Sequence, residues 1–118
     1  MDKQSLGQKG EQIATVFLLK NNYQIITKNF RTKFGEIDII AKDSDVLVFV
    51  EVKTRTSTSF GLPYEAVNKA KLRQIAKAGD IYLMQNKASS PKIRIDVISI
   101  LLSPGGEGLN VEVLKDVS

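Results

Sequence analysis

The 118-residue sequence contains no cysteine, no histidine and no tryptophan, and only three prolines. Without cysteine and histidine there is no disulfide framework, zinc site, thiol nucleophile, haem ligation or Ser-His-Asp triad. No apolar run approaches the ~18 residues of a membrane span. The first residues, Met1-Asp-Lys-Gln-Ser, carry no apolar signal segment. A cytoplasmic protein without membrane contact is the expectation.

What is present for chemistry is carboxylate, ammonium, guanidinium and hydroxyl. Such groups suit hard, oxygen-seeking ions such as magnesium rather than soft ones. Apolar residues make up 42% of the chain, enough for one core that buries roughly two-thirds of the unfolded surface. One domain over residues 1–118 is expected. Seventeen basic residues against thirteen acids leave a net charge of +4, by itself a weak pointer to an anionic partner. Its placement says more, because nine basic residues face only two acids, Glu65 and Asp80, between Val52 and Arg94.

Apolar residues at Leu6, Ile13, Ala14, Phe17 and Leu18 predict a helix from Leu6 to about Asn21. Tyr23 to Phe30 reads as a strand. Glu36 to Ala41 and Val46 to Lys53 read as a hairpin joined by Lys42-Asp43-Ser44-Asp45. The second of these, Val46-Leu-Val-Phe-Val-Glu-Val, is apolar on both faces, so it should lie centrally with helices covering both sides. A hydroxyl-rich loop from Thr54 to Pro63 leads to a helix beginning at Pro63. Leu72, Ile75, Ala76, Gly79, Tyr82 and Leu83 share its apolar face. Ser89-Ser90-Pro91 ends that helix, Ile93 to Ile100 is a strand, Ser103-Pro-Gly-Gly turns, and Leu109 to Leu114 is a last strand. The predicted order is αβββαββ, an α/β domain with a mixed sheet between helices.

Within the central strand, Glu51 and Lys53 point to one face, although charge is costly to bury in an apolar strand. Asp38 is flanked by Ile37, Ile39 and Ile40 on the preceding strand. If the hairpin loop has an even number of residues, Asp38 shares the face of Glu51, opposite or diagonal to it, with Cβ atoms roughly 5–8 Å apart. An odd loop would separate them. Two carboxylates at that distance with a lysine next along the strand suit a bound magnesium. Glu11 falls at the edge of the first helix's buried stripe, where it reaches toward the sheet; Glu36 shares the face of Asp38. Taken singly, Glu51-x-Lys53 is more often a plain salt bridge, and Glu11 more often a surface acid.

Lys9-Gly10-Glu11, Gly35-Glu-Ile-Asp38-Ile-Ile-Ala41 and Val48-Phe-Val-Glu51-Val-Lys53-Thr-Arg55 occur in that order. Together they resemble the YraN-like uncharacterised bacterial family, placed in the PD-(D/E)xK nuclease superfamily and similar to archaeal Holliday-junction resolvases. The resemblance spans nearly the whole chain and implies a restriction-endonuclease-like fold. It implies Asp38 as the hairpin acid, Glu51 and Lys53 as the E-x-K pair, and Glu11 as the first-helix acid. Magnesium, with manganese as a substitute, would be held by Asp38, Glu51 and the main-chain carbonyl of Val52. The proline that names the motif is absent, since Ile37 precedes Asp38, but it is not a ligand. The implied activity is cleavage of DNA phosphodiester bonds, with branched or junction DNA as substrate.

On the second helix Lys69, Arg73 and Lys77 form a basic ridge beside the apolar stripe, with Lys71 on the opposite flank. Such a ridge is either a solvated face or a contact for phosphates. Arg55 and the hydroxyls from Thr54 to Ser59 follow the E-x-K strand directly, as a loop over substrate or a polar connection. Phe60 and Tyr64 read as packing residues, and Asp96 as an ion-pair partner of Arg94 or a helix lysine. Three functions fit: a magnesium-dependent endonuclease, a non-catalytic nucleic-acid-binding or regulatory module, and an interaction protein with a plain Glu51–Lys53 salt bridge. Junction cleavage takes two cuts and therefore a symmetric homodimer.

Overall fold

The β-branched and aromatic run that starts at Val46 builds the strand around which the other elements are arranged. The computed structural model describes residues 3–59, 61–86, 92–103 and 109–117. Helix α1 (Lys3–Lys20) is followed by strands β1 (Gln24–Thr32), β2 (Gly35–Asp43) and β3 (Val46–Arg55). A 3-10 turn (Pro63–Ala66), helix α2 (Lys69–Gln85) and strands β4 (Lys92–Leu102) and β5 (Leu109–Leu114) complete the order αβββαββ. The sheet runs β1-β2-β3-β4-β5, antiparallel except for the β3–β4 pair, which is parallel. A parallel pair needs a crossover, and the chain through the 3-10 turn and α2 supplies it. This mixed α/β arrangement is consistent with the restriction-endonuclease-like fold that the resemblance implies. Among the described residues no helix is long and apolar enough to cross a membrane.

Strand β3 is central, and its residues Leu47 to Glu51 are buried whichever face they point to. Val48 and Val50 pack with Ala14 and Leu18 of α1 on one face, and Leu47 and Phe49 pack with Ile75 and Ala78 of α2 on the other. Two glycines let the helices come this close. A Cβ at Gly10 would overlap Thr54 Oγ1, and one at Gly79 would overlap the Phe49 ring. Midway along the β3–β4 pair, opposite Val50, Asp96 is buried and accepts hydrogen bonds from Arg94 Nε (2.8 Å) and the Asp116 N–H (3.0 Å). Tyr23 Oη donates to the same carboxylate at 3.3 Å, and Arg94 also bonds Asp43 at 2.9 Å. Burial and the neighbouring Asp96 charge push the Tyr23 phenol up to about 12, and hydrogen bonding to Asp96 holds the Arg94 guanidinium above its ordinary range.

Two details of the second helix differ from the sequence-based expectation. The helix expected from Pro63 is divided into the 3-10 turn and α2, because Val67 and Asn68 are extended and Asn68 Oδ1 caps α2 by accepting from the Lys71 N–H at 2.9 Å. Ala76, expected on the apolar face, is exposed, and Ala78 is buried in its place. The stripe is centred on Ile75 and Gly79, rotated toward Lys71. Tyr64 is half-buried, its N–H donating to Ser99 Oγ at 3.1 Å. Phe60, Ser89-Ser90-Pro91 and the turn after Ser103 lie outside the described residues.

Candidate functional site

The β2–β3 turn decides whether Asp38 and Glu51 meet. Strand pairing runs without interruption from Asp43–Val46 back to Ile39–Val50, leaving a two-residue loop, Ser44-Asp45, with Ser44 at φ 55°. The loop is even, so the next step of that register sets Asp38 opposite Glu51. The ladder stops at that step. Instead of a backbone carbonyl, Asp38 Oδ2 accepts the Val52 N–H at 2.8 Å. The face alternation of β2 slips at the same point: Ile39 packs on the α1 side, whereas Ile37 joins Ile40 on the α2 side.

Glu51 is 2% exposed. Its Oε2 lies 3.4 Å from Lys71 Nζ and 3.8 Å from Lys53 Nζ. Its Oε1 is buried and has no hydrogen-bond partner among the described residues. A buried carboxylate oxygen without a donor carries an uncompensated desolvation cost of roughly 1–3 kcal/mol or more. Asp38 feels the same surroundings. Burial first, then the Glu51 charge and the hydrogen bond that a protonated Asp38 gives to Glu51, push its carboxyl from 3.8 to about 7, against the opposing pull of the Val52 amide and Lys71. Glu51 Oε1 is thus without a donor once Asp38 ionises.

Glu11 reaches the sheet, as expected, but stands outside this pair. Asn29, at φ 56° on β1, donates through its amide nitrogen to Glu36 Oε1 (2.8 Å) and Glu11 Oε1 (3.2 Å). Burial and the charge of Asp38 raise the Glu11 carboxyl, while the Asn29 bond lowers it. Among the described residues no three acids lie close enough together to hold one metal ion. Glu11, Asp38, Glu51, Val52 and Lys53 nonetheless line one cleft of about 420 Å³, together with Leu6, Gly7, Thr54 and Lys71. A shallower groove of about 270 Å³ continues from Leu6 and Thr54 past Arg55, Thr56 and Ser57.

Of the expected basic residues, Lys69, Arg73 and Lys77 are exposed along α2, and Arg55 is half-buried beside the groove. Lys71 does not belong to a solvated flank. It lines the cleft and pairs with Glu51. The signal was in the sequence, since Lys71, Ile75, Ala78 and Tyr82 follow i, i+4, i+7, i+11 on the inward stripe. Asn29 was also missed. Nothing in a strand pattern marks one asparagine as the clamp between two acids.

Residues 10–100 match the family described as "Uncharacterised protein family UPF0102". The chain is 49% identical over 115 residues to a UPF0102 protein of Geotalea daltonii, covering 98% of this chain and 90% of the relative. It is 42% identical over 116 residues to one from Dictyoglomus turgidum and 40% identical over 116 residues to one from Caldicellulosiruptor saccharolyticus, covering 98% of both chains in each case. With this match over most of its length, the chain belongs to the uncharacterised protein family UPF0102.

Proposed function

We propose that this chain is a magnesium-dependent endonuclease of the PD-(D/E)xK type that hydrolyses phosphodiester bonds of DNA, with branched or junction DNA as the substrate class. The observation that carries this reading is Glu51 Oε1, a buried carboxylate oxygen without a donor, beside an Asp38 carboxyl that resists ionisation. The two lysines meet Glu51 at Oε2, which leaves Oε1 facing Asp38 without a donor, and a hard divalent cation fits between two such carboxylates. The donor set fits magnesium, with manganese as a substitute, held by Asp38, Glu51 and the main-chain carbonyl of Val52. When bound, the ion polarises a phosphodiester oxygen and lowers the pKa of water for in-line attack.

The chain's own residues supply the rest. Asp38 is held in place by the Val52 N–H, so its second oxygen can serve as a ligand. Lys53 and Lys71 both flank Glu51 Oε2; one can stay paired with Glu51 while the other meets the charge that builds on the phosphate. Glu11 adds a third carboxylate at the rim of the cleft, oriented by Asn29. Lys69, Arg73 and Lys77 would hold phosphates without regard to sequence, which gives a steep salt dependence.

That only two carboxylates converge favours, as the second reading, a non-catalytic nucleic-acid-binding module of the same fold. The two readings separate when purified protein is incubated with four-way junction, flap and single-stranded DNA in magnesium, manganese or chelator. Cutting in either metal that is lost in chelator and in the Asp38→Ala, Lys53→Ala double variant supports the nuclease. Equal cutting by wild type and variant excludes it, and salt-dependent binding without cutting selects the binding module. Light scattering with a junction present tests the symmetric homodimer that two cuts require.

A further inference from the structure

We propose that the β1–β2 turn presents Phe34 as a stacking platform for an unpaired base of a DNA strand, so that the preferred ligand contains single-stranded nucleotides. The inference rests on the nucleic-acid reading of the α2 ridge and adds what part of the ligand is recognised there. Phe34 is 40% exposed at a two-residue turn, an unusual place for a phenyl ring with no apolar neighbour assigned to it in either core cluster. The turn is built to hold it. Thr32 and Gly35 pair across it, Thr32 Oγ1 donates to the Gly35 carbonyl (2.9 Å), and the Phe34 N–H donates to Thr32 Oγ1 (3.0 Å). Such local bonds fix the loop, so presenting the ring costs little further ordering on binding.

Two lysines border the ring. Lys33 Nζ lies 5.2 Å and Lys77 Nζ 5.5 Å from the ring centroid, both within cation–π range. Lys77 is the end of the Lys69–Arg73–Lys77 ridge nearest this turn, so the ring continues a phosphate-binding line. An exposed aromatic bordered by lysines is the combination that binds single strands, because every base has a π-face while the lysines take the backbone. A base paired inside a duplex has no free face to offer, and a Watson–Crick duplex would meet the lysines alone. Phe34 is four residues before Asp38 along the extended chain, about 13 Å, so the stacked base lies only a few nucleotides from the cleft.

The absence of tryptophan from the chain makes the test direct. Phe34→Trp introduces a single indole, whose emission is followed while an oligo(dT) 20-mer is added in chelator at low salt. Binding is followed separately by the anisotropy of a labelled strand. Quenching that saturates with the single strand, and is absent with a duplex of equal length, supports the proposal. Phe34→Ala and Phe34→Leu should each weaken single-strand binding about tenfold and leave duplex binding unchanged. Unchanged emission while the labelled strand binds overturns the proposal and leaves the nuclease reading standing. Wild-type affinity in both Phe34→Ala and Phe34→Leu does the same. No binding of either DNA form overturns the proposal together with the nucleic-acid reading on which it rests.

Discussion

Lys71 Nζ lies closer to Glu51 Oε2, at 3.4 Å, than does Lys53 Nζ, at 3.8 Å, although Lys53 shares a strand with the glutamate and Lys71 reaches it from a helix. The cleft therefore joins two elements on one carboxylate. Lys71→Gln should lower the cleavage rate about a hundredfold, as for loss of one charge-stabilising donor. Lys69→Gln should instead weaken binding uniformly and reduce the salt slope by about one. Initial rates and binding at several salt concentrations distinguish them. A Lys71 variant that changes only the salt slope would return that residue to the outer surface.

The pH dependence of stability follows from Asp38. Its folded-state pKa is about 7, above the ordinary 3.8, so between those values the folded protein binds more protons than the unfolded chain. Stability in chelator should therefore fall as pH rises through that window and level off above it. Asp38→Asn keeps an acceptor for the Val52 N–H and removes the charge. It should flatten this profile and, for a gain of about 1 kcal/mol, raise the Tm at pH 8 by about 5 °C. Magnesium or manganese at pH 8 should raise the wild-type Tm and leave that of the variant almost unmoved. Thermal denaturation with and without chelator checks all three statements.

Gly10→Ala should destabilise by about 1–3 kcal/mol, because the added methyl overlaps Thr54 Oγ1 where α1 crosses β3. Thr54→Ala in the same chain removes the overlapping atom and should restore much of the loss. A double-variant cycle from urea midpoints gives the coupling directly. Additive losses would mean that the two groups do not touch.

On β4, Asp96→Ala should cost about 3–5 kcal/mol, since it leaves the largely buried Arg94 without its main partner and removes the acceptor for Tyr23 and the Asp116 N–H. Asp96→Asn should cost less. Neither should alter the salt slope of DNA binding, because none of the network's residues lines the cleft. Urea denaturation and binding measured on the same preparations test both halves.

Much of the fold was legible because β3 is apolar at every position from Val46 to Val50, and no arrangement but a central one buries such a strand. The meeting of Asp38 and Glu51 was legible only up to a parity. The sequence Lys42-Asp43-Ser44-Asp45 allows even and odd loops, and pairing out to Asp43–Val46 selects the even one. Ala76 was misplaced because the apolar stripe was centred between Leu72 and Gly79, whereas the buried Ile75, Ala78 and Gly79 rotate it toward Lys71. Lys71 was set on the correct flank, but its reach to Glu51 depends on how α2 crosses β3. The Val52–Asp38 bond replaces a backbone ladder bond with a side-chain one, and pattern reasoning has no term for that exchange. Of the two partners that the sequence left open for Asp96, Arg94 is the one it takes, and the extension to Tyr23 and Asp43 depends on distant parts of the chain.

The two glycine crossings on β3 have a mechanical meaning. One helix bears on the strand at Phe49 and the other, from the opposite side, at Thr54. Glu51 lies between these two bearing points, like a beam held from above and below on either side of a load. Two further strands separate it from each border of the sheet. Strain imposed at β1 or β5 is absorbed before it reaches the carboxylate, whereas a tilt of either helix is delivered to it at once. The tolerance for error at this position is therefore set by the smallest side chains of α1 and α2, not by the residues that surround the carboxylate itself.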